Sequence, residues 1–115
     1  MGVYSMESVK GLGHVQTVWA GKDNPIECVL KEDGQDYDFS GAQAVRVKIG
    51  DVLLDSEMDR ESFDLSEAAV GRIKVFIGDH TLEPHAYPVG LELDDSSGRT
   101  LYFGTVRVHV RDPKM

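Results

Sequence analysis

The chain has 115 residues, 20 acidic against 12 basic side chains, a net charge of −8 and one cysteine, Cys28. That length suits a single domain, well above the roughly 40 residues below which disulfides or metal are usually needed, and a lone thiol, which fits a reducing cytosol, excludes an internal disulfide. The charge argues against nucleic acid as a partner, because phosphate contacts need clustered Lys and Arg. No apolar run approaches the roughly 20 residues that span a bilayer, so no membrane partner is expected.

In chain order, residues 1–13 are polar with Gly2, Gly11 and Gly13, and read as a flexible N-terminal arm with no secretory signal. Residues 14–111 read as an all-β domain, with 112–115 a C-terminal tail. His14–Trp19 and Ile26–Lys31 are the first, weaker strand candidates. Val45, Val47 and Ile49 then alternate with Arg46 and Lys48, and Val52–Asp55 and Ser62–Leu65 follow as shorter candidates. Ile73, Val75 and Ile77 alternate with Lys74 and Phe76; Tyr87, Val89, Leu91 and Leu93 with Pro88, Gly90 and Glu92; Val106, Val108 and Val110 with Arg107 and His109. Period two puts one face of each strand on a core and the other in water. Asp33-Gly34, Gly50-Asp51, Gly78-Asp79 and Asp94–Gly98 supply the turns, and Gly50-Asp51 has the order of a two-residue hairpin. Only Ser66–Ala69 suggests a helical turn. The pattern predicts an immunoglobulin-like antiparallel β-sandwich of about seven or eight strands.

Few residues suggest chemistry. Leu82–Tyr87 opens a strand with a proline and a tyrosine, the setting of the tyrosine corner, in which the hydroxyl fixes a sheet crossing by bonding upstream backbone. Asp51–Glu67 holds seven acidic residues against Arg60, a local charge of −6. Asp55, Glu57 and Asp59 have the spacing that opens a calcium loop, but Arg60 stands where the turn glycine belongs and Ser66 where the closing glutamate belongs. A looser site with Asp94 and Asp95 is the remaining metal alternative, and a solvated loop the expectation. His14, His80, His85 and His109 are dispersed, without zinc spacing. Cys28 alternates with Ile26 and Leu30 and is read as core. Trp19 is read as a core anchor, with a sugar platform as its alternative. No catalytic, cofactor or metal site is expected.

The segments Trp19…Asp23-Asn-Pro-Ile-Glu-Cys-Val-Leu30 and Asp38-Phe-Ser-Gly-Ala42, followed by an alternating strand, resemble small β-sandwich domains of phage tails and baseplates. The likeness is to the N-terminal domain of phage baseplate upper proteins and covers roughly residues 15–111, with Leu82–Tyr87, Val89–Leu93 and Thr100–Val110 as its later parts. The resemblance implies a bacteriophage virion structural protein, assembled in the host cytoplasm, that acts through contacts with other virion proteins and as a homo-oligomer, without catalysis. Such proteins continue into fibrous or receptor-binding regions, whereas this sequence stops at Met115. A stand-alone connector, a head or tail decoration protein and an unrelated sandwich therefore stay open. The alternatives in function are a carbohydrate-binding module using Trp19 or exposed Tyr102 and Phe103, and a small enzyme.

In immunoglobulin order, Val45–Ile49, Tyr87–Leu93 and Leu101–Val110 become strands C, F and G of one sheet. Their outward residues are then Arg46 and Lys48, Pro88, Gly90 and Glu92, and Arg107 and His109. This predicts a positive face with a low stripe at Gly90. Arg46, Lys48, Gly90, Arg107 and His109 are the expected partner contacts, and the Asp51–Glu67 loop of a neighbouring copy is one candidate partner.

Overall fold

A computed structural model describes residues 2–11, 13–22, 24–77 and 83–113. The predicted Gly78-Asp79 turn, His80 and Leu82 lie outside the described residues. The ten described strands are β1 (Tyr4–Ser8), β2 (Gln16–Trp19), β3 (Pro25–Glu32), β4 (Gln35–Asp36), β5 (Ala44–Ile49), β6 (Val52–Asp55), β7 (Phe63–Asp64), β8 (Arg72–Phe76), β9 (His85–Asp94) and β10 (Thr100–Arg111). Single 3-10 turns at Arg60–Ser62 and Ala68–Val70 complete the secondary structure.

One sheet has the order β1-β3-β8-β7 with β4 beside β3; the other has the order β2-β10-β9-β5-β6. The two stack as an immunoglobulin-like sandwich. The predicted C, F and G strands are neighbours in one sheet, because β9 pairs antiparallel with both β5 and β10. One pair departs from the antiparallel rule: β2 runs parallel to β10.

Alternation explains the core. Val45, Val47 and Ile49, then Val89, Leu91 and Leu93, then Val106, Val108 and Val110 are all buried, facing Ile26, Cys28, Leu30, Ile73 and Val75 of the opposite sheet. Among the described residues twenty-four apolar side chains are buried, and all but Val29 and Ala44 join one core cluster, which drives folding by removing apolar surface from water. Ile49 and Val52 close the β5–β6 hairpin through Gly50-Asp51, and Gly50 takes the φ of +55° that the first position of a II′ turn requires.

The N-terminal arm is corrected. Residues 4–8 form β1, paired along its length with Cys28–Glu32 of β3. Met6 is buried, and the Tyr4 ring sits edge-on to Phe103 at 5.3 Å. The period was hidden because the second buried residue of β1 is polar. Ser8 donates to the carbonyl of His14 and accepts from Gln16.

The chain then crosses from one sheet to the other, and Gln16 closes the seam. Its amide nitrogen donates to the Glu27 carbonyl at 2.8 Å, and its amide oxygen accepts from the Glu27 N–H at 2.7 Å. One side chain thus satisfies a backbone unit of β3 as a neighbouring strand would.

Candidate docking face

The outward side of the five-stranded sheet carries the predicted contact residues, and its strand register fixes which ones meet. Arg46 lies across from Glu92 on one side and Asp55 on the other; Lys48 lies between Gly90 and Leu53; Gly90 faces Thr105, and Pro88 faces Arg107. His109 is opposite Ala86, near the far end of β10. All five predicted contacts therefore share one face.

The charge along that face is not uniform. Arg46 donates from Nε to Glu92 at 2.7 Å and from both terminal nitrogens to Asp94 at 2.8 Å, a bidentate fork. Thr100 donates a further bond to Asp94 at 2.7 Å. Arg46 and Thr100 together hold the Asp94 carboxyl well below the usual carboxylate range, and the bonds to Asp94 and Glu92 raise the Arg46 guanidinium further. Next along the chain, Asp95 accepts from the side chain and backbone of Ser97 and Arg99, which lowers its pKa to about 2. Lys48 and Arg107, in contrast, make no ion pair among the described residues. The expectation of a positive face is corrected at Arg46, which is held by its own sheet because Asp94 and Glu92 stand on the adjacent strand.

At the middle of the face lies a groove of about 400 Å³, with Leu53, Pro88, Gly90, Leu91 and Tyr102 as its apolar lining and Lys48 at its side. Two of these side chains are large and stand in water: Leu53 is 63% exposed and Tyr102 61%. A Cβ on Gly90 would lie 3.5 Å from the Tyr102 hydroxyl and 3.7 Å from the Thr105 methyl, so the missing side chain is what keeps the floor low. A bulge sets which side chains flank the groove. Between Tyr102 and Thr105 the β10–β9 register slips, with Gly104 at φ +87°, so both Tyr102 and Thr105 face outward. Sequence reasoning missed Leu53 and the bulge; the only signal was Gly104 inside a strand.

The remaining candidates fall elsewhere. Phe103, expected as an exposed platform, is buried, because the bulge turns it into the core beside Tyr4 and Tyr37. Trp19, expected in the core, is exposed: Val18 takes the buried position on β2, so its neighbour points out. Its backbone N–H is held by Asn24, which also donates to the Thr17 carbonyl. Tyr87 forms the predicted corner, donating from its hydroxyl to the Glu83 carbonyl at 2.9 Å. Cys28 is buried, and desolvation pushes its thiol up to about 12, which leaves it a small hydrophobe. Asp55, Glu57 and Asp59 form a self-braced loop, and among the described residues no three metal-ligating side chains converge.

No family model and no curated sequence matches the chain. Among solved structures, it is similar to the endo-beta-1,4-mannanase from Thermotoga petrophila, with a TM-score of 0.56 and 12% identity. That match covers 97% of this chain and 20% of the mannanase, so the chain spans about a fifth of that protein's length. It is also similar to fibronectin(III)-like modules of Clostridium thermocellum CbhA, with a TM-score of 0.48, 18% identity and 94% of each chain covered. At these identities the mannanase likeness speaks to the fold alone.

Proposed function

We propose that the chain is a non-catalytic structural domain of a bacteriophage virion, in the tail, the baseplate, the head–tail joint or the capsid decoration. In this reading it docks other virion proteins or further copies of itself through the outer face of the five-stranded sheet. The observation that carries the docking role is the groove at Gly90, where Leu53 and Tyr102 stand in water on either side of a bare floor, beside Lys48, which has no ion pair among the described residues. Apolar surface gathered in one place on a folded domain marks an interaction site more often than chance. The virion setting rests on the resemblance of Trp19–Leu30 and Asp38–Ala42 to tail and baseplate domains.

The test is made on purified particles of the phage that encodes the chain. Quantitative mass spectrometry should find it in a fixed ratio to the major tail or capsid protein; its absence from particles overturns the virion setting. A photo-crosslinker placed at Leu53 should join it to a virion protein. An unlabelled Leu53 would remove the face from the docking role.

A second reading, a carbohydrate-binding module, is favoured by the exposure of Trp19 and Tyr102. The two are not one platform. Trp19 is level with Arg111, nine residues along β10 from Tyr102, which is about 30 Å at a strand's rise per residue. Each ring would have to bind alone. Tryptophan fluorescence during titration with soluble glycans tests this reading; an unmoved spectrum ends it for Trp19.

A further inference from the structure

Met58 is the most exposed large apolar side chain among the described residues, at 84%. A flexible loop would fold such a residue back, but this loop is braced. The Met58 and Asp59 N–H groups both donate to the Asp55 carbonyl, at 3.1 and 2.7 Å. The Glu57 N–H donates to the Asp55 carboxylate, and the Asp55 N–H donates to the Asp59 carboxylate. The methionine thus stands in water on a hydrogen-bonded tip, with Glu57, Asp59 and Glu61 beside it in the chain and Arg60 the single basic residue among them. The groove at Gly90 offers it an apolar trough between Leu53 and Tyr102, with Lys48 on its wall, Glu92 neutralised there by its ion pair with Arg46, and Arg107 two residues beyond Thr105.

We infer that Met58 of one copy seats in the Leu53–Gly90–Tyr102 groove of a second copy, with Glu57 and its acidic neighbours against Lys48 and Arg107. The inference rests on the docking role proposed above and names the partner as the chain itself. A thioether over the Tyr102 ring is a favourable contact, and a pre-braced tip loses little freedom on binding. Arg46 takes no part, since Glu92 and Asp94 already occupy it. Knob and groove are different patches, so the contact is heterologous and propagates head to tail, closing into a ring where the rotation allows.

Sedimentation velocity of the full chain at low and high salt, over a range of concentrations, tests it. The wild type should assemble and the assembly should weaken with salt, as paired surface charges require. Met58→Lys removes the knob and Leu53→Glu spoils the groove. Each should weaken self-association by about tenfold or more, the scale of one buried apolar side chain. Both positions are exposed, so unfolding curves should stay those of the wild type. An equimolar mixture of the two variants should form a 1:1 pair, because one copy keeps its groove and the other its knob. Assembly that survives both substitutions, or a mixture that stays monomeric, overturns the inference. A wild type that is monomeric at every concentration in low salt also overturns it. The docking role fails separately, by the Leu53 crosslink in particles: joining there to a different virion protein would retain that role while removing self-docking.

Discussion

The two ends of the outer sheet face use charge in opposite ways. At the end where β9 turns into β10, Arg46, Glu92, Asp94 and Thr100 satisfy one another, and Asp95 closes the turn onto Ser97 and Arg99. At the other end Lys48 and Arg107 are without ion pairs among the described residues, and order comes from neutral hydrogen bonds. Tyr87 holds Glu83, and Asn24 holds Trp19 and Thr17. The difference teaches that a basic residue on an exposed strand is available to a partner only when the adjacent strand offers it no acid. Arg46 and Lys48 are two positions apart on one strand, and the registers of β9 and β6 separate their roles, setting Glu92 and Asp55 beside the first and Gly90 and Leu53 beside the second.

The strongest way to break the contrast is Arg46→Glu, which places a carboxylate against Glu92, Asp94 and Asp55. It should cost at least about 2 kcal/mol in urea unfolding, since charge-assisted hydrogen bonds are lost and like charges oppose across strands. Acid is a milder form of the same lesion. Asp94 and Asp95 have folded pKa values below the ordinary 3.8, about 2 for Asp95, so the unfolded chain binds protons more readily than the folded one. Their stabilisation is therefore complete above pH ~5 and is lost progressively as pH falls through ~2. Asp38 and Asp64, lowered by Ser40 and Ser66, act in the same direction. Hydrogen exchange should show β9–β10 turn amides losing protection in this window before the amides of β2.

Tyr87→Phe sharpens the contrast at the neutral end. It removes one hydrogen bond, should cost about 0.5–1.5 kcal/mol, and should do so equally at pH 3 and pH 7, read as the shift in urea midpoint. The smallest effect belongs to Lys48→Glu with Arg107→Glu, expected to change stability by less than about 0.5 kcal/mol because neither cation has an ion pair to lose among the described residues. A large loss in that double variant would show that these cations serve the fold rather than a surface.

Much of the architecture was legible in the chain itself. The period-two runs at Val45–Ile49, Ile73–Ile77, Tyr87–Leu93 and Val106–Val110 each turn inward the residues the alternation selects, all buried except Tyr87, which is partly buried against the core, because a pleated strand has only two sides. The Tyr87 corner and the Gly50-Asp51 hairpin were legible for a similar reason: both are local, and a few adjacent residues determine their geometry. What failed was non-local. Tyr4–Ser8 looked like an arm because its inward residues are Met6 and a serine whose partners lie on other segments. Phe103 and Trp19 exchanged their expected places, since a bulge at Gly104 and the inward turn of Val18 set their direction. The candidate site divides in the same way. Its face was predictable from alternation, but its groove, the capture of Arg46 and the partnership of Leu53 with Tyr102 were decided by register between strands. Alternation is a property of one strand, whereas register exists only once strands have paired.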